Sequence, residues 1–260
     1  MLTSEIGKRK SPRSAAHGIS FAQEIGGARR MIPWKELGRA TIPGQPAPLV
    51  LSQRDTEFVL RVGPHLLMSS RSHGTEEILA ELAWACIGGR PAARMLIGGL
   101  GMGFTLAAAL RHAPPDATLT VVELVGEVIE WNRGPLAHLA GRPLDDPRVS
   151  VCAADVADAL RDGPLAFDAI LLDVDNGPSG LSRTANDGLY SHAGLRAAHR
   201  ALREGGVVGV WSVAPDPKFT QRLGEVGFEV KVHVARARRN KGGRHTLWIA
   251  TRRGTDAARQ

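Results

Sequence analysis

No apolar run in this chain approaches the ~20 residues that a membrane-spanning helix needs. Residues 1–30 hold no apolar core of the signal-peptide kind. A cytoplasmic protein without a membrane partner is therefore expected. Cysteine is scarce, with only Cys86 and Cys152. Both lie in apolar stretches and read as small buried hydrophobes in a reducing compartment, which excludes a disulfide framework. The nine histidines show no metal-ligand spacing, so no metal site is expected. Tyrosine occurs once, which leaves few polar aromatic faces on which a cationic ligand could stack.

What is present suits a large α/β domain with a small subdomain. The chain has 260 residues, 43% of them hydrophobic, which is enough for a sizeable core. The formal net charge is +7. Residues 1–30 carry six basic residues against two acids, a net +4, in a leader rich in Ser, Gly and Ala. That composition predicts disorder, and Met31 offers an alternative start. A second basic cluster, Arg236, Arg238, Arg239, Lys241 and Arg244, lies between two apolar runs. Residues 240–243 have turn composition, so the cluster decorates a hairpin. No aromatic residues interleave with these charges, so a solvated loop is expected rather than a nucleic-acid partner.

The strongest local signal is Met95-Leu96-Ile97-Gly98-Gly99-Leu100-Gly101-Met102-Gly103-Phe104-Thr105. An apolar segment ends in closely spaced glycines, and the helix former Leu106-Ala107-Ala108-Ala109-Leu110 follows. This is a strand, a tight turn and a helix start. Gly98, Gly99, Gly101 and Gly103 allow a ligand to approach the backbone, and the helix start offers free N–H groups. Open parallel sheets bind nucleotides and nucleosides at such turns.

Three acids follow, each at the end of an apolar run. Residues 117–122 lead into Glu123, 20 residues after Gly103. A carboxylate there accepts hydrogen bonds from both ribose hydroxyls. A nicotinamide-binding domain would place the same acid, so Glu123 alone does not identify the ligand. Residues 149–153 lead to Asp155 and Val156. Asp155 is positioned to accept from an adenine amino group, with the Val156 N–H serving a ring nitrogen, or else simply to cap the next helix. Residues 167–172 lead to Asp173, then Asp175-Asn176-Gly177-Pro178. Asp173 and Asp175 are candidate catalytic carboxylates, because ligands bind at the carboxyl ends of such strands.

In this order the segments "VVELVGEVIEWNR", "LDDPRVSVCAADVADAL", "FDAILLDVDNGP" and "LYSHAGLRAAHRALREGGVVGVWS" resemble the spermidine synthases, the polyamine aminopropyltransferases. The resemblance covers about residues 49–250. It implies a class I methyltransferase fold with a small N-terminal β domain, a role in polyamine biosynthesis and a homodimer. By resemblance, Glu123 is the ribose acid, Asp155 the adenine-side acid and Asp173 the first catalytic Asp, with Asp175 standing in for the second. The implied co-substrate is decarboxylated S-adenosylmethionine, the acceptor a small amine. Several places differ. The family's glycine-loop Asp, which holds the aminopropyl end of the donor, is Gly101 here. Met68 lies near the family's Gln, no Tyr-His pair opens the next helix, and a family Tyr falls near Leu195. The loop also reads as Gly99-x-Gly101-x-Gly103, which fits methyltransferases that use intact S-adenosylmethionine.

The expected architecture is an α/β fold. It is a seven-stranded, Rossmann-like class I methyltransferase sheet behind a small antiparallel β unit. The expected division is residues 1–30 as leader, 31–73 as the β unit, 74–252 as the main domain and 253–260 as tail. The β unit is read from alternating residues at 48–68, and Thr75 is expected to cap the helix that follows. Strands are expected near 94–98, 118–123, 149–153, 168–172, 207–213, 228–234 and 245–250. The short turn before the last makes it antiparallel, which argues against a nicotinamide-binding domain. Trp211 is expected either to wall the pocket or to pack the core. Three functions fit: an aminopropyltransferase, a small-molecule methyltransferase, and a non-catalytic nucleoside-binding relative.

Overall fold

Short β-rich segments with alternating burial come first, and strands alternating with helices follow. In a computed structural model, residues 32–162, 167–174, 177–178, 188–238 and 241–254 are described. Four strands, β1 (Lys35–Ala40), β2 (Leu49–Arg54), β3 (Glu57–Val62) and β4 (His65–Ser69), form an antiparallel meander. Strand β1 was not expected from the 48–68 pattern. Its burial is slight except at Ala40, so it carries little alternating hydrophobicity to announce it.

The second sheet has seven strands: β5 (Arg94–Gly98), β6 (Thr118–Glu123), β7 (Val149–Ala153), β8 (Phe167–Leu172), β9 (Leu202–Ser212), β10 (Phe228–Arg238) and β11 (Lys241–Arg252). Their order is β10-β11-β9-β8-β5-β6-β7. β11 runs antiparallel to both neighbours and the other pairs joining β7, β6, β5, β8 and β9 are parallel. The expected fold is therefore present, including the reversed last strand. Arg238 pairs with Lys241, so the basic cluster lies on the expected hairpin, but residues 241–243, expected in its turn, are the start of β11; residues 239–240 lie outside the described residues.

Among the described residues, six α-helices cover the sheet: α1 (Gly74–Ile87), α2 (Phe104–His112), α3 (Gly126–Arg133), α4 (Val156–Asp162), α5 (His192–Ala201) and α6 (Pro217–Val226). One face packs with α1, α2, α3 and the N-terminal sheet, and the other with α4, α5 and α6. β8 is buried at every position, and its side chains divide between the two faces. Such continuous apolar runs are the mark of a parallel strand covered on both sides. At its start, buried Asp168 accepts from Arg90 Nη1 at 3.0 Å, Arg203 Nη1 at 3.0 Å and the Arg94 N–H at 2.9 Å. Paired this fully, the charge is tolerated in the interior.

From Pro33 onward the chain forms one compact unit. Among the described residues, no helix is long and apolar enough to cross a membrane. Two expectations need correction. Thr75 is not an N-cap: α1 starts at Gly74 after His73, and no side chain caps it. Cys86 and Cys152 are exposed, not buried. Cys86 sits on the outward face near the end of α1, and Cys152 on β7, an edge strand with alternating cover.

Candidate active site

The glycine turn joins β5 to α2. Gly99, Gly101 and Gly103 all have positive φ, at 86°, 54° and 82°. That is left-handed backbone that other residues rarely adopt. At Gly99 space is also limiting, since a Cβ would collide with the carbonyl oxygen of Asp173. The Gly99 N–H donates to the Val122 carbonyl and the Asp173 N–H to the Gly98 carbonyl, at 2.8 and 2.9 Å. These bonds tie together the carboxyl ends of β5, β6 and β8. A cavity opens there, lined by Gly99, Gly101, Glu123, Asp155, Val156 and Asp173, among others.

Each acid is held differently. Glu123 is buried; its Oε2 accepts from the Leu100 N–H at 2.8 Å and its Oε1 from the Val125 N–H at 2.9 Å. Asp155 Oδ1 accepts from the Ala157 N–H at 2.7 Å, so it does cap α4 while also lining the cavity. Asp173 Oδ2 accepts from Thr105 Oγ1 at 2.6 Å. Burial raises the Asp173 carboxyl to about 6, against the lowering effect of the Thr105 bond. Asp175 lies outside the described residues.

The cavity contains one more acid, which sequence reasoning missed. Glu76, in the first turn of α1, is buried and lines the cavity. Burial, and then the charge of Asp173, push its carboxyl up to about 7. Glu76 Oε2 accepts from Thr75 Oγ1 at 2.8 Å. Trp211 Nε1 donates to the same hydroxyl at 2.9 Å, and His245 Nδ1 lies 2.7 Å from it. A hydroxyl has one proton and two lone pairs. With that proton given to Glu76, His245 must donate through Nδ1–H. Burial lowers the His245 pKa, which favours the neutral ring with its proton on Nδ1. Trp211 thus walls the cavity and belongs to the core at once. Only the acidic first turn of α1 could have drawn attention to Glu76; nothing local joins it to His245.

The remaining lining is apolar. Ile42, Leu49, Leu60, Leu67 and Met68 contribute it from the N-terminal sheet and its first connection. A Cβ on Gly101 would lie 3.0 Å from Met68 Cε and 3.1 Å from its Sδ. Leu195, at the place of a family Tyr, is fully buried in α5 away from this lining. Among the described residues, no group of three or more His, Cys, Asp or Glu could hold a metal ion.

The profile of the spermine/spermidine synthase domain matches residues 73–223. The chain belongs to the spermine/spermidine synthase family. The match runs from the start of α1 into α6 and so includes Glu76, the glycine turn, Glu123, Asp155 and Asp173. Membership makes the chain aminopropyltransferase-like. Among solved structures it is similar to a spermidine synthase in complex with the transition-state analogue AdoDATO, at 20% identity and a TM-score of 0.65, over 86% of this chain and 74% of that one. It is similar to the spermidine synthase from Thermotoga maritima at 21% identity and a TM-score of 0.64, with the same coverage. A probable spermidine synthase from Corynebacterium glutamicum follows at 16% identity and a TM-score of 0.58, over 82% of this chain and 79% of that one. At these identities the likeness speaks for the fold. No curated protein matches significantly.

Proposed function

We propose that this family member is a transferase that moves an aminopropyl group from decarboxylated S-adenosylmethionine to a small amine. The observation that carries the reading is Asp173. Its carboxyl, held by Thr105, ends β8 in the same cavity as Glu123 and Asp155. A solved spermidine synthase of this fold was captured with AdoDATO, in keeping with a donor of this kind.

The roles follow from what each residue offers. Glu123 accepts from the ribose hydroxyls, while the N–H groups of Leu100 and Val125 hold its carboxylate in place. Asp155 accepts from the adenine amino group through the oxygen not used in capping, and the Val156 N–H serves a ring nitrogen. Gly98, Gly99, Gly101 and Gly103 let the nucleoside lie against backbone. Asp173 orients the amine and accepts its proton. The neutral amine then attacks the carbon beside the sulfonium in line. The carbon–nitrogen bond forms as the carbon–sulfur bond breaks, and the electron pair leaves with sulfur as neutral methylthioadenosine. The secondary ammonium product loses its extra proton to solvent. Positioning and deprotonation are the protein's main contributions. Asp175 is a second candidate carboxylate.

One observation favours methyl transfer from intact S-adenosylmethionine as the second reading. Met68 covers Gly101, where the family's Asp would hold the donor's aminopropyl end. Release of methylthioadenosine from the decarboxylated donor in the presence of an amine tests the first reading. We expect Asp173→Asn to slow that release roughly a hundredfold or more. Full activity in that variant would remove Asp173 from the mechanism, and S-adenosylhomocysteine formed from the intact donor would support the second reading.

A further inference from the structure

We infer that Glu76 joins Asp173 as a seat for a single ammonium group, and that the acceptor is an amine with an apolar body rather than a linear polyamine. This rests on the aminopropyltransferase reading above. Four described carboxyls line the cavity: Glu76, Glu123, Asp155 and Asp173. Glu123 is committed to two backbone N–H groups, and Asp155 to the cap of α4. Glu76 and Asp173 face the same space from different elements, α1 and the end of β8, and each is fixed by a threonine hydroxyl. Thr75 is fixed in turn by Trp211 and His245, which approach from β9 and β11.

Two buried carboxyls lining one cavity repel when both ionise, and an ammonium between them removes that cost. Burial holds both above the ordinary carboxylate range, and the charge of Asp173 adds to the rise at Glu76. The pair is therefore poised to take up a cation and then to accept a proton from it. Away from the pair the cavity changes character. The N-terminal sheet presents Leu49, Leu60, Leu67 and Met68, with no described carboxyl among the lining residues it contributes. A second ammonium against that wall would lose its water without gaining a partner. An alkyl or aryl group there would bury apolar surface instead.

Calorimetric titration with 1-aminopentane and 1,5-diaminopentane, each with and without methylthioadenosine, tests this. The monoamine is expected to bind at least about thirtyfold more tightly than the diamine, an unpaired buried charge being costly. Glu76→Gln is expected to weaken the monoamine by about tenfold or more, at an unchanged circular-dichroism spectrum. Leu67→Asp, which adds a carboxylate to the apolar wall, is expected to narrow the gap by strengthening the diamine. Equal or tighter binding of the diamine by the unaltered protein would overturn the inference. So would monoamine binding by Glu76→Gln as tight as that of the unaltered protein. The titrations without nucleoside separate the two readings: failure of methylthioadenosine to bind counts against the proposed reaction, while the amine preference is still read directly.

Discussion

Gly99 joins fold and function in one residue. Its positive φ shapes the turn, and the missing side chain admits the Asp173 carbonyl. Gly99→Ala should cost at least about 2 kcal/mol of stability in urea unfolding, since both strain and collision act against it. Glu123→Gln should weaken nucleoside binding by about tenfold or more, as a charged acceptor becomes neutral and its NH2 must face the Leu100 or Val125 N–H. Thr105 tunes Asp173. Its hydrogen bond favours the ionised carboxylate and so opposes the effect of burial. In Thr105→Val the Asp173 pKa should rise further. If Asp173 is the base, the rate's rise with pH should move to higher pH; a pH profile identical to the parent would detach Thr105 from the reaction.

The elements deliver these residues from distant parts of the chain. Glu123, Asp155 and Asp173 were legible because each ends an apolar run, and such ends meet along one edge of a parallel sheet. Glu76 was not. It reaches the cavity because α1 packs across β9, which brings Thr75 to Trp211 and to a His245 that is 170 residues away. No periodicity encodes that meeting. Asp155 supported both readings: it caps α4 and lines the pocket, so Asp155→Ala should lose about 1 kcal/mol from the cap as well as adenine contacts. The Glu76–Asp173 pair also has a pH signature. Both carboxyls have folded-state pKa values raised above their ordinary ones. Their contribution to stability is fully present below about pH 4, the ordinary carboxylate range, and is lost as pH rises through about 6 to about 7. The groups facing them include Glu77 on the same helix and neutral His245. Glu76→Gln should therefore flatten the fall in melting temperature across that window. An unchanged slope would mean that Glu76 ionises without cost.

At the scale of the whole molecule, the seven-stranded sheet supplies the nucleoside edge and the four-stranded sheet supplies the wall. The parallel pairing in the large sheet and its reversed last strand followed from the alternation of strands and helices and from one short turn. The N-terminal sheet was only partly legible, because β1 is nearly uncovered. Yet β1 anchors that sheet: a Cβ on Gly38 would lie 2.6 Å from Trp131 Nε1 on α3. Gly38→Val should displace β1 and lower the melting temperature. It should also weaken donor binding through the wall; unchanged donor affinity would show that the wall is set by β2 to β4 alone. The identity of the donor separates aminopropyl transfer from methyl transfer. Its most direct test is calorimetric binding of decarboxylated and intact S-adenosylmethionine, side by side, to the purified protein. We predict that the decarboxylated donor binds at least about tenfold more tightly, a difference of about 1.4 kcal/mol. A preference for the intact donor would contradict aminopropyl transfer and support methyl transfer in its place.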